Sequence, residues 1–89
     1  MEFSKIQPII EELDKLRAEV DAVDARLAPL IAKRFEIVRK IGALKRANGI
    51  AAVDGVRETE ILRSVIECGD EVAEVYRRIF DIAHRIQKR

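Results

Sequence analysis

Apolar residues in the first half of the chain recur at steps of three and four: Ile9, Leu13, Leu16, Val20, Val23, Leu27, Leu30, Val38 and Ile41. Such spacing gathers them on one face of an α-helix. It predicts a helix from Ser4 or Lys5 to about Ala47, where Asn48-Gly49 supplies a stop signal. Pro8 falls near the first turn, where a missing backbone donor is tolerated. Pro29 removes a donor in mid-helix, at a cost of about 3 kcal/mol. Around it, "DARLAPLIAK" holds no Gly, Asn or Ser to build a turn, so a kink is expected there and not a break.

The stretch "GIAAVDG" is a loop, and Asp54 is a good N-cap for a second helix, "GVRETEILRSVIEC". Gly69 ends that helix, and Asp70 can cap a third, "EVAEVYRRIFDIAHRIQKR". Val72, Val75, Tyr76, Ile79, Phe80, Ala83 and Ile86 form its expected buried face. There is no strand-like alternation, internal repeat or low-complexity tract. The reading is all-α, one domain over 1–89, with one long helix and two short ones.

Length then constrains assembly. A helix of about 42 residues is about 63 Å long, whereas the second and third would reach about 21 and 28 Å. A compact domain of this size is only about 30 Å across. The short helices cannot cover the long apolar stripe, and an uncovered stripe aggregates or binds something. A second copy of the chain, long helix against long helix, is the simplest cover, so an intertwined homodimer is expected. A long coiled-coil adaptor is the rival shape, but it would not need two short helices folding back.

Composition agrees with a folded helical chain: 48% of its 89 residues are hydrophobic and 37% charged, with four Gly and two Pro. Three Phe, one Tyr and no Trp leave a core of Leu, Ile, Val and Ala. The net charge of +1, with acids and bases interleaved, gives no field to draw the chain to nucleic acid or membrane. No apolar run approaches the roughly 20 residues of a membrane span, and "MEFSKIQPIIEEL" does not read as a signal peptide. The lone cysteine, Cys68, fits a reducing compartment and reads as a half-buried helix-end residue. A cytoplasmic setting is expected.

Two cations interrupt the pattern in "LIAKRFEIVRKIGALKR". Arg34 and Lys45 fall on or beside the apolar stripe. Their spacing is about 1100° of helix, only ~20° from full turns, so they share a face about 16 Å apart. Arg17 is about 26 Å from Arg34 along the same axis. One straight helix cannot bring Arg17 to their ligand, but a symmetry-related antiparallel helix can. Arg57 and Glu58 follow the Asp54 cap by three and four residues. Gln87, four residues after Ala83, puts an amide where the third helix's pattern calls for an apolar side chain.

Each of these has a plain structural explanation. Arg and Lys snorkel from helix edges, Glu58 suits the first turn of a helix, and Gln87 could be a solvated terminus. Taken together, several cations, one acid and one amide near buried faces suit a small polyanion, most simply a dicarboxylate.

The order "LRAEVDAVDARLAPLIAKR…IGALKRANGIAAVDGVRETEIL" resembles the all-helical (AroQ-type) chorismate mutase family. That family's pattern is an Arg early in the long helix, then Leu/Ile-x-x-Arg, Gly-x-x-Lys and a loop ending in Asp-x-x-Arg-Glu. Arg17, Arg34, "GALK" with Lys45, and "DGVRE" with Asp54, Arg57 and Glu58 occupy those places. In the third helix the family usually has a small polar residue followed, four positions on, by Gln or Glu. The apolar pattern puts Ala83 and Gln87 there, although a different register would move Gln87 to the first of the two places.

The resemblance implies rearrangement of chorismate to prephenate in aromatic amino-acid biosynthesis, with no cofactor or metal. By carry-over, Arg17 of a partner chain and Arg34 clamp carboxylates. Lys45 and Gln87 donate to the ether oxygen, Glu58 and the backbone near Asp54 hold the ring hydroxyl, and Arg57 supports the carboxylate site. Some short members of the family that this chain resembles depend on an activating partner enzyme, and the resemblance extends that expectation here. His84, the single histidine, is expected on the surface of the third helix. The alternatives are an isochorismate pyruvate lyase, against which Glu58 argues, and a non-enzymatic helical dimerisation or regulatory module.

Overall fold

The computed structural model describes residues 2–88, with side chains from Lys5 onward. It holds three α-helices, α1 (Glu2–Ala47), α2 (Gly55–Val65) and α3 (Asp70–Gln87), with a 3₁₀ turn at Ile66–Cys68 between the last two. Among the described residues there is no strand. α1 contains both Pro8 and Pro29, so neither proline ends it. The expected second helix is thus divided, its last three residues tightening into the 3₁₀ turn.

The chain divides into two compact units, Met1–Lys33 and Arg34–Arg89. In the first, every described side chain from Lys5 to Leu30 is exposed. The apolar stripe is among them, with Val20 at 58% and Val23 at 60% exposure. Arg17 pairs with Asp14 on this surface, Nη1 to Oδ1 at 3.8 Å, three residues apart on one helix.

The second unit has its own core. Val38 of α1 packs with Ala83 and Ile86 of α3, flanked by Phe35 and Ile82. Ala73, Ile79 and Phe80 are buried as well. Gly49, at φ 66°, follows the end of α1, and Ile50 N–H donates back to the Lys45 carbonyl at 2.9 Å. Glycine populates this left-handed region at no steric cost, which lets the chain reverse there. Asp54 caps α2, its Oδ1 accepting from Arg57 N–H at 3.1 Å.

Three expectations change at this level. Gly69, at φ 132°, is the residue that precedes α3, and Asp70 is the first residue of the helix and not its cap. Val75 is 55% exposed, because it lies roughly a quarter turn from the centre of the buried face. Cys68 is exposed, since it closes a 3₁₀ turn that presents no buried residue.

Candidate active site

The second unit encloses a cavity of about 270 Å³. α1 contributes Arg34, Ile37, Val38, Ile41 and Lys45 to its lining, spaced by three or four residues so that all share one face. The loop adds Ala52 and Asp54, α2 adds Arg57, Glu58 and Ile61, and α3 adds Phe80, Ala83, His84 and Gln87. Three basic side chains and two carboxylates therefore share one cavity with apolar residues. The excess is one positive charge, before counting His84.

Most of the polar side chains are held by neighbours. Lys45 Nζ donates to the Ala52 carbonyl at 2.9 Å and to Gln87 Oε1 at 3.1 Å. The lysine thus ties the loop and α3 to α1. It also consumes the oxygen of the Gln87 amide and leaves the NH₂ as that side chain's free donor. Arg46 secures the same residue from outside, Nη1 donating to the Gln87 carbonyl at the end of α3. The Arg34 guanidinium carbon stands 5.8 Å from the Tyr76 ring centre and 5.7 Å from that of Phe80. The two rings meet edge to face at 71°, so the cation faces a built aromatic corner.

On the opposite flank, His84 Nε2 lies 2.5 Å from Glu58 Oε1 and 2.9 Å from Oε2. His84 is half-buried, contrary to its expected place on the surface. The apolar residues of α3 alone do not reveal this placement. His84 follows Phe80 by four and precedes Gln87 by three, and that spacing was the available signal.

Of the eight residues singled out in the sequence, seven line this cavity: Arg34, Lys45, Asp54, Arg57, Glu58, Ala83 and Gln87. Arg17 is not among the lining residues and belongs to the first unit. Ala83 is buried at 4% exposure and adds only a methyl group to the wall. Gly42, read only as part of "GALK", has a steric role. A Cβ built there would stand 2.9 Å from Gln87 Cα, so its hydrogen lets α1 and α3 approach.

The pattern of chorismate mutase type II matches residues 16–88. The chain belongs to the chorismate mutase type II family. The match includes Arg17 as well as every residue of the cavity. The intracellular chorismate mutase of Mycobacterium tuberculosis is 31% identical over 71 residues, covering 80% of this chain and 67% of the relative. The 3-dehydroquinate dehydratase of Pyrobaculum aerophilum is 36% identical over 76 residues, covering 85% of this chain and 23% of the relative. The bifunctional chorismate mutase/prephenate dehydratase of Aquifex aeolicus is 26% identical over 90 residues, covering 90% of this chain and 25% of the relative. The chain therefore spans about two thirds of the mycobacterial relative and about a quarter of the other two.

For a chorismate mutase type II chain, the arrangement has a definite chemical character. It offers cationic and amide donors fixed before any ligand arrives, and an acid held by a histidine. No helix among the described residues is long and apolar enough to cross a membrane.

Proposed function

We propose that this chain rearranges chorismate to prephenate, a step of aromatic amino-acid biosynthesis. The observation that carries the reading is the Lys45–Gln87 pair, 3.1 Å apart, in one cavity with Arg34 and Glu58. The reaction is pericyclic and intramolecular, so it requires no nucleophile and no proton transfer. Two tasks remain for the protein. It must hold a flexible dianion in its folded conformer, which is an entropic contribution. It must also stabilise the negative charge that develops on the ether oxygen as the C–O bond breaks.

The cavity suits both tasks. Arg34, steadied by Tyr76 and Phe80, clamps a carboxylate. The remaining Lys45 proton and the Gln87 NH₂ point donors at the ether oxygen. Their positions are set by the loop carbonyl and by each other, so little reorganisation accompanies the reaction. Glu58 accepts from the ring hydroxyl, assisted by backbone near Asp54, and Arg57 supports the carboxylate site. Ile37, Ile41 and Ile61 form apolar walls that raise the strength of these interactions.

The same reading includes an intertwined homodimer of single-domain chains over 1–89. Its support is the apolar stripe from Ile9 to Leu30, exposed in the isolated chain. In the dimer, Arg17 of the partner chain supplies the second carboxylate clamp that one chain's cavity lacks.

The test is an assay of purified protein on chorismate with products separated by chromatography, and on isochorismate in parallel. Prephenate from chorismate supports the reading. Pyruvate and salicylate from isochorismate, with chorismate untouched, would overturn it.

A further inference from the structure

His84 has no role in the reading above, yet it touches a residue that does. Among the described residues it is the side chain that hydrogen-bonds the Glu58 carboxylate, reaching both oxygens from one nitrogen. The contact joins α2 to α3 across 26 residues of sequence, and both side chains are largely withdrawn from solvent, at 28% exposure for His84 and 21% for Glu58. We propose that His84 is a positioning residue, which fixes the Glu58 carboxylate toward the substrate hydroxyl and keeps it away from the cations of the same cavity. The inference rests on the mutase reading and adds to it a residue that the family pattern, as matched here, does not contain.

The argument is one of competition. The Glu58 carboxylate shares its cavity with the cations Arg34, Lys45 and Arg57. If Glu58 turned to any of them, it would neutralise a charge needed for the anionic substrate and lose its alignment with the hydroxyl. A glutamate carries three side-chain torsions, so packing on α2 alone does not select one direction. His84 Nε2–H occupies the lone pairs on one side of the carboxylate and leaves the other side open as an acceptor. Because that nitrogen faces a carboxylate, it is the protonated one in the neutral ring.

The test combines kinetics with NMR. His84→Leu is expected to lower kcat/KM about tenfold, the scale of one hydrogen bond to a charged group, with most of the change in KM as Glu58 competes for the cations. His84→Gln, which can return an N–H near the same point, should recover most of the loss. In a Glu58→Ala background, His84→Leu should change kcat/KM less than about twofold, since the histidine acts through the acid. Equal losses in both backgrounds would overturn the proposal, as would a His84→Leu enzyme with unchanged kinetics. Should His84→Leu fail to fold, the wild type still answers. The chain has one histidine, so an exchange-protected imidazole N–H signal is unambiguous. It should be present in the wild type and lost in Glu58→Ala, and its absence from the wild type would also count against the pairing. A wild type that shows this signal yet makes no prephenate places the fault in the mutase reading and not in the contact.

Discussion

Gly42 and Gln87 meet backbone to backbone, with no space between them for a side chain. A Cβ on Gly42 would lie 2.9 Å from Gln87 Cα and 3.3 Å from its Cγ. Three neighbours on one stretch of α1 therefore define Gln87: Gly42 sets its distance, Lys45 orients its amide, and Arg46 binds its carbonyl. Gly42→Ala should separate α1 from α3. Alanine gains about 1 kcal/mol in helix propensity over glycine, while forcing the backbones apart costs about 1–3 kcal/mol. The expected result is a lower Tm together with a kcat reduced at least tenfold, because Gln87 moves with α3. A Tm above wild type with unchanged turnover would show that the contact relaxes freely.

Lys45 has two functions that meet on one nitrogen. Its bonds to Ala52 and Gln87 are structural, whereas its remaining proton is the donor proposed for the ether oxygen. Lys45→Ala should lower kcat by about 10²–10³-fold, the range for loss of one preorganised donor, with a smaller effect on KM. Lys45→Gln keeps a donor but not the charge, and its kcat should fall between those of the wild type and Lys45→Ala. Steady-state kinetics on chorismate decides it, and an unchanged kcat in Lys45→Ala would sink the mechanism.

The Asp54 cap makes a different kind of claim, since it concerns stability first. Its carboxylate satisfies the Arg57 N–H at the start of the helix that carries Arg57 and Glu58. Asp54→Ala should cost about 1 kcal/mol, measured as a lower denaturant midpoint, whereas Asp54→Asn should cost little. If Asp54 served the substrate alone, Asp54→Ala would lose activity with no change in midpoint.

Much of this site was legible because charged residues interrupt a regular apolar pattern. Arg34 and Lys45 stand out against a 3.6-residue period, and that period places them on one face. The capping role of Asp54 follows from its position before the second helix. The remainder depends on contacts between distant parts of the chain. Gly42 alone looks like a weak helix residue, because its meaning lies 45 positions away, at Gln87. His84 lies beside the apolar face of α3, and its partner Glu58 is on another helix, 26 residues earlier. Asp70 and Gly69 show the usual limit at helix ends, where a glycine with positive φ took the capping position from the better side chain.

Arg17 offers the sharpest test of assembly, because it is the one candidate outside the cavity of its own chain. If each site takes Arg34 from one chain and Arg17 from the other, Arg17→Ala and Arg34→Ala should each abolish most activity. A heterodimer of the two variants behaves differently. One of its sites collects both substitutions, while the other receives wild-type Arg34 and wild-type Arg17. Unfolding an equal mixture and refolding it should give about half heterodimers, each with one intact site of two, so about a quarter of wild-type activity should return. Each variant refolded alone provides the baseline. Recovery near a quarter requires that chains exchange and share sites. Activity that stays at the baseline, from a mixture shown to contain heterodimers, would mean that Arg17 acts within its own chain or not at all.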